Sequence, residues 1–113
     1  MPAVVRPERR PDAALDALGD GSRREILRLL ATRNRSVQEI ADGLPISRPA
    51  VSRHLRVLKD AGLVSEEAVG TRRIYHLEPG GDVAVRDYLE RLWGQAAVRF
   101  RLVAENTTRA ADD

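Results

Sequence analysis

A mainly α fold with one small β-hairpin is predicted for this chain, on three observations. Two helix-start signals flank a short breaker between Ser36 and Asp60, a β-prone segment centred on Gly70 follows from Val64 to Leu77, and a long helical apolar periodicity closes the chain after Asp82. A capped helix, a tight turn, a second capped helix and a hairpin make a winged helix-turn-helix, here with a long C-terminal helix suited to dimerisation.

Residues 1–11 carry Pro2, Pro7 and Pro11 among Arg6, Arg9 and Arg10, and are expected to form a flexible arm. The folded domain is expected over residues 12–106, with a flexible tail at 107–113. Its first helix should run from about Asp12 to Leu18, with Ala14, Leu15 and Leu18 on one apolar side, and Gly19-Asp20-Gly21 should end it. Ser22 with Glu25 reads as a capping box opening a second helix to about Thr32, in which Ile26, Leu27, Leu29 and Leu30 turn to the core. Ser36 with Glu39 is another capping box, and Gly43-Leu44-Pro45 stops the helix it opens.

The next helix, residues 47–60, carries the candidate chemistry. Ser47 can cap it and Pro49 fits its first turn, where no intrahelical donor is lost. At about 100° per residue, Val51, Leu55 and Leu58 fall together while Pro49, Ser52, Arg53 and Arg56 point away. One side is core and the other is free to touch a partner. Arg48 lies at the edge of the polar side, where the first turn of a helix inserted in the DNA major groove meets base edges. Its planar fork can donate two hydrogen bonds to guanine O6 and N7. A charge-rich face that is merely solvated is the plain alternative.

The following segment raises the DNA reading above that alternative. Two β-prone runs between Leu63 and Leu77 flank a turn tipped by Thr71, Arg72 and Arg73, the pattern of a hairpin wing over residues 64–77. Its basic tip would lie over flanking phosphates or the minor groove and add affinity that weakens with salt. Strand side chains alternate, so one of Arg72 and Arg73 should point out and the other across the sheet, with Arg72 expected outward.

After Pro79-Gly80-Gly81-Asp82 a helix is expected to about Asn106. Its apolar positions Val85, Leu89, Leu92, Trp93, Ala96, Phe100 and Val103 form a stripe longer than a small body can cover. A second copy is the simplest cover, with this helix and Ala14, Leu15 and Leu18 of the first helix packing across a two-fold axis. Burial of Trp93 and Phe100 within their own chain is the alternative.

With 113 residues, 42% of them hydrophobic and 32% charged, the chain fits one small domain with a modest core. Net charge is only +2, but six basic residues face three acidic ones between Arg48 and Arg73. Local field rather than total charge steers a polyanion. No apolar run approaches the ~20 residues that span a bilayer, and the first residues lack the apolar core of a secretory signal, so a cytoplasmic protein without membrane contact is expected.

Three runs carry a resemblance: Ala17 to Leu30 (ALGDGSRREILRLL), Ile46 to Val64 (ISRPAVSRHLRVLKDAGLV) and Gly70 to Leu77 (GTRRIYHL). Together they resemble the ArsR/SmtB-type winged-helix transcriptional regulators, from about Pro11 to Asn106. The resemblance implies a homodimer that binds an inverted-repeat operator in double-stranded DNA, most often as a repressor of its own or a neighbouring operon. Carried over by position, base reading falls on Arg48, Ala50, Ser52 and Arg53, and wing contact on Arg72. The full DNA-binding set expected is Ser47, Arg48, Pro49, Ala50, Ser52, Arg53, Arg56, Thr71, Arg72 and Arg73. The dimer set is Ala14, Leu15, Leu18, Leu89, Leu92, Trp93, Ala96, Phe100 and Val103.

One departure is informative. Many members bind metal through cysteines in an E-L-C-V-C-D box, and the corresponding stretch here is Ser36-Val37-Gln38-Glu39-Ile40-Ala41-Asp42. The chain has no cysteine at all, which removes thiolate metal sites and disulfide switches. Its two histidines, His54 and His76, lie on the recognition helix and the wing, not on the last helix where other members place zinc or nickel ligands. No metal, cofactor or catalytic residue is therefore expected. Phosphate loops, nucleophile elbows and H-E-x-x-H pairs are missing, so an enzyme is not expected. The alternative function is a winged-helix protein-interaction module without DNA binding, which should show apolar or acidic residues on the outward helix face. RNA is a weaker third partner, because stacking aromatics are nearly absent.

Overall fold

The computed structural model describes residues 11–112, with side-chain surroundings over 12–106, so the expected N-terminal arm lies outside the described residues. The elements are α1 (Pro11–Leu18), α2 (Gly21–Thr32), β1 (Arg35–Ser36), α3 (Val37–Asp42), α4 (Arg48–Asp60), β2 (Val64–Val69), β3 (Arg72–Leu77) and α5 (Val83–Asp112). This is the expected mainly helical, winged arrangement, with two additions.

The first is β1, a strand of two residues that sequence patterning did not anticipate. It pairs antiparallel with β3, Arg35 opposite Tyr75 and Ser36 opposite Ile74, giving a three-stranded sheet in the order β1-β3-β2. The hairpin register runs from Val64 opposite Leu77 to Val69 opposite Arg72. Gly70 closes the turn at φ 63°, a backbone state open to glycine at little cost.

The second is the length of α5, which runs six residues past the expected end at Asn106. Nothing after Gly94 is a glycine or proline, so no local signal stops the helix.

Helix starts follow local chemistry. At α3 the capping box is complete: Ser36 Oγ accepts the Glu39 N–H at 3.2 Å, and Glu39 Oε1 accepts the Ser36 N–H at 3.1 Å. Ser47 Oγ accepts the Ala50 N–H at α4. At α2 the expected cap is corrected from Ser22 to Asp20, whose Oδ1 accepts the Arg23 N–H at 3.0 Å. Asp20 is extended, so the helix opens at Gly21 and Ser22 falls inside it. That bond, the largest influence, holds the Asp20 carboxyl below its ordinary range. Arg23 Nε and Arg24 Nη1 then donate to the Ala17 and Leu18 carbonyls, satisfying the open end of α1.

The core gathers the undersides of the helices. Ile26, Ile40, Val51, Leu55 and Leu58 are fully buried, joined by Ala14, Ala17, Leu30, Ala61, Leu63, Val64 and Val85. Each large aliphatic side chain contributes about 1.5–3 kcal/mol by leaving water. One close crossing fixes how α5 leaves the body. A Cβ on Gly81 would stand 2.6 Å from the Gly62 carbonyl oxygen, so the segment entering α5 lies directly on the turn that ends α4. Nearby, the Glu78 N–H donates to the Leu63 carbonyl at 3.0 Å.

Candidate nucleic-acid interface

The interface candidate starts from the two faces of α4. Val51, Leu55 and Leu58 are buried beneath it, which leaves Ser47, Arg48, Pro49, Ser52, Arg53 and Arg56 exposed and Ala50 half-buried. The arginines at 53 and 56 enter no hydrogen bond or ion pair among the described residues. Both residues are exposed. Arg48 is different: its Nη1 donates to Gln38 Oε1 of α3 at 3.3 Å, and the same amide donates through Nε2 to Asp42 at 2.7 Å.

The wing brings a second set of cations to the same side. Arg72 Nη2 donates to Ser36 Oγ at 3.0 Å and Glu39 Oε1 at 2.8 Å, so this side chain turns back on α3. Arg73 Nη1 donates to Glu66 Oε1 at 3.1 Å, and Lys59 of α4 donates to the same oxygen at 2.8 Å. The outward preference expected of Arg72 is corrected: its side chain is 58% exposed against 70% for Arg73. Alternation along β3 sends Arg72 to the side where the Glu39 carboxylate lies, and Arg73 to the side of α4. Thr71 at the tip is exposed.

Two carboxylates organise these cations. Glu39 is held down at about 2, first by the Arg33 guanidinium 2.8 Å away and then by the Ser36 N–H. Glu66 is lowered first by Lys59 and next by the Tyr75 hydroxyl, while burial and then Glu66 push Tyr75 up to about 12. Glu39 and Glu66 were not picked out as interface residues from the sequence, nor was Gln38. Glu39 meets Arg72, 33 residues away, only through the folded hairpin, while Gln38 meets Arg48 across the turn between α3 and α4. Because the arginines in these pairs are more than half exposed, solvent screens each pair, and an incoming phosphate can compete for the same donors.

His54 is half-buried on α4, and His76 Nδ1 lies 3.1 Å from the Leu77 carbonyl. Neither belongs to a metal-type cluster among the described residues.

The residues expected at a dimer face divide. Leu89, Leu92, Trp93, Phe100 and Val103 are exposed on α5, with Trp93 66% and Phe100 70% open. Ala96, Leu15 and Leu18 are half-buried. Ala14 is corrected: only 2% exposed, it is taken up by the chain's own core, because α1 is short and Ala14 and Ala17 are its innermost positions. Val98 and Leu102 are also exposed, and lie on the opposite side of α5 from the stripe.

Residues 20–66 match the model of the bacterial regulatory protein arsR family. The HTH-type transcriptional regulator Rv2034 of Mycobacterium tuberculosis is 52% identical over 92 residues, covering 81% of this chain and 86% of that one. The solved ArsR-like transcriptional regulator from Rhodococcus sp. RHA1 superposes with a TM-score of 0.76 at 29% identity, over 84% of this chain and 90% of that one. A homodimeric winged helix-turn-helix DNA-binding domain from Mycobacterium bovis, a possible ArsR-family regulator, superposes with a TM-score of 0.60 at 34% identity, over 74% and 77%.

Proposed function

Because this chain belongs to the arsR family, and so is a transcriptional regulator with a winged helix-turn-helix DNA-binding fold rather than an enzyme, we propose that it is a homodimeric repressor acting at an inverted-repeat operator. The observation that carries this is a fully buried Val51-Leu55-Leu58 underside set against an exposed Ser52-Arg53-Arg56 row, whose arginines make no ion pair among the described residues, next to a basic wing tip. A helix so divided can lie in the major groove without giving up any core contact. Ala50, Ser52 and Arg53 present to base edges, and Arg56, Thr71 and Arg73 meet backbone or minor groove.

Two copies joined through α5 would set their recognition helices about one DNA turn, ~34 Å, apart. Occupancy over a promoter then excludes polymerase with no chemical step, in the cytoplasm where the chromosome is. Any ligand that favours one spacing of the two helices would shift that occupancy. A protein-docking role finds no support on the outward face of α4, which is cationic rather than apolar or acidic.

The test is a salt-titrated binding measurement on a duplex taken from upstream of the protein's own gene and on a shuffled duplex. The wild type should prefer the first, and Arg53→Ala should lose about 1–3 kcal/mol there while losing less on the shuffled sequence. Equal losses on both duplexes would remove base reading from Arg53. Absence of wild-type binding to either would remove DNA as the partner.

A further inference from the structure

On the premise that the chain binds duplex DNA, we propose that the cleft where α3, α4 and the wing tip meet, lined by Gln38, Arg48, Thr71 and Arg72, seats one backbone phosphate shared by Arg48 and Arg72. Arg48 thereby becomes a phosphate contact instead of the guanine reader its position at the helix entrance suggests.

Three features support this assignment. The cleft, about 460 Å³, opens to solvent and is walled by side chains from three segments far apart in sequence, so it exists only when the wing is docked. Both guanidiniums are oriented before any ligand arrives. Asp42 takes the Gln38 Nε2 donor and thereby turns Gln38 Oε1 toward Arg48, while Ser36 and Glu39 hold one terminal nitrogen of Arg72. A guanidinium has five N–H donors, so each arginine keeps most of its donors for an anion.

The charge balance also favours an anion. Glu39 is engaged by Arg33 at 2.8 Å as well as by Arg72, and the guanidiniums of Arg33, Arg48 and Arg72 outnumber the carboxylates of Glu39 and Asp42. Thr71 adds a hydroxyl donor at the rim. A phosphate held between the first turn of α4 and the wing would set the spacing of those two elements on the DNA by a contact that carries no sequence information.

The probe is a duplex of arbitrary sequence, on which base reading contributes little. Wild type, Arg48→Ala, Arg72→Ala and the double variant are compared by fluorescence anisotropy across a chloride series, with thermal unfolding run alongside to show that each is folded. Arg48→Ala should weaken binding to this duplex about fivefold to tenfold. With one seat in each copy of the homodimer, the double variant should flatten the log–log salt slope by the ~1.8 expected for two phosphates, not by the ~3.6 expected for four. Inorganic phosphate at matched ionic strength should compete no better than chloride, since a lone ion in so open a cleft lacks the many neighbouring contacts that hold a duplex in place.

An Arg48→Ala loss confined to a preferred sequence would return Arg48 to base reading and overturn the shared seat. A slope change worth four phosphates would overturn it too, as would strong competition by free phosphate, which would make the cleft a small-anion site. In each of those cases the protein still binds DNA. Wild type that binds no duplex would instead remove the premise.

Discussion

The recognition helix and the C-terminal helix are both amphipathic, yet they expose opposite things. α4 buries Val51, Leu55 and Leu58 and shows arginines, whereas α5 buries Val85 and shows Leu89, Leu92, Trp93, Phe100 and Val103. An exposed guanidinium is comfortable in water, so the outer face of α4 is stable alone and available to a polyanion. An exposed stripe of large apolar side chains is not, and its cost falls only when a matching apolar surface covers it. The same helical period thus serves two kinds of partner, and the identity of the outward residues tells them apart.

The strongest way to break this contrast is at α5. Trp93→Asp combined with Phe100→Asp should leave a folded monomer by sedimentation equilibrium and circular dichroism, and DNA affinity should fall at least about 100-fold, because two half-site contacts no longer reinforce one another. An unchanged mass would show that the stripe is covered some other way. Next comes the underside of α4. Leu55→Ala should lower unfolding free energy by about 2–5 kcal/mol in urea titrations, while Arg53→Ala should stay within about 0.5 kcal/mol of wild type. Similar losses from both would mean that Arg53 is part of the packing after all.

The smallest effect concerns the carboxylate that ties the wing to α3. Glu39 is held at about 2 in the folded chain against an ordinary value of 4.5, so its contribution is complete above pH 4.5 and is lost as pH falls towards 2. The melting temperature of wild type should therefore drop more steeply across that window than that of Glu39→Gln, whose amide can keep the reciprocal cap without a charge. Parallel curves would remove Glu39 from the acid sensitivity of the fold.

The sequence made the helices legible because their signals are local: caps at Ser36 and Ser47, the Gly43-Leu44-Pro45 break, and an apolar triad on α4 that is buried as its spacing demands. It also marked the arginines of α4 as outward, since side-chain direction follows from the period alone. What stayed hidden was non-local. The strand at Arg35–Ser36 is too short to have a period and exists only because β3 lies beside it. The return of Arg72 to Glu39 depends on how the hairpin docks, and the burial of Ala14 depends on what α1 finds beneath it. Asp20 displaced Ser22 as a cap because both types suit the role, and only backbone geometry chooses between them.

The crossing of Gly81 over Gly62 leaves no room for a side chain at the base of the last helix. Main chain rests on main chain there, with the carbonyl oxygens of Gly62 and Glu78 occupying the space a Cβ would take. A side chain at position 81 would therefore push the root of α5 off the turn that follows α4, and would redirect a 30-residue helix whose far end magnifies any change of angle at its base.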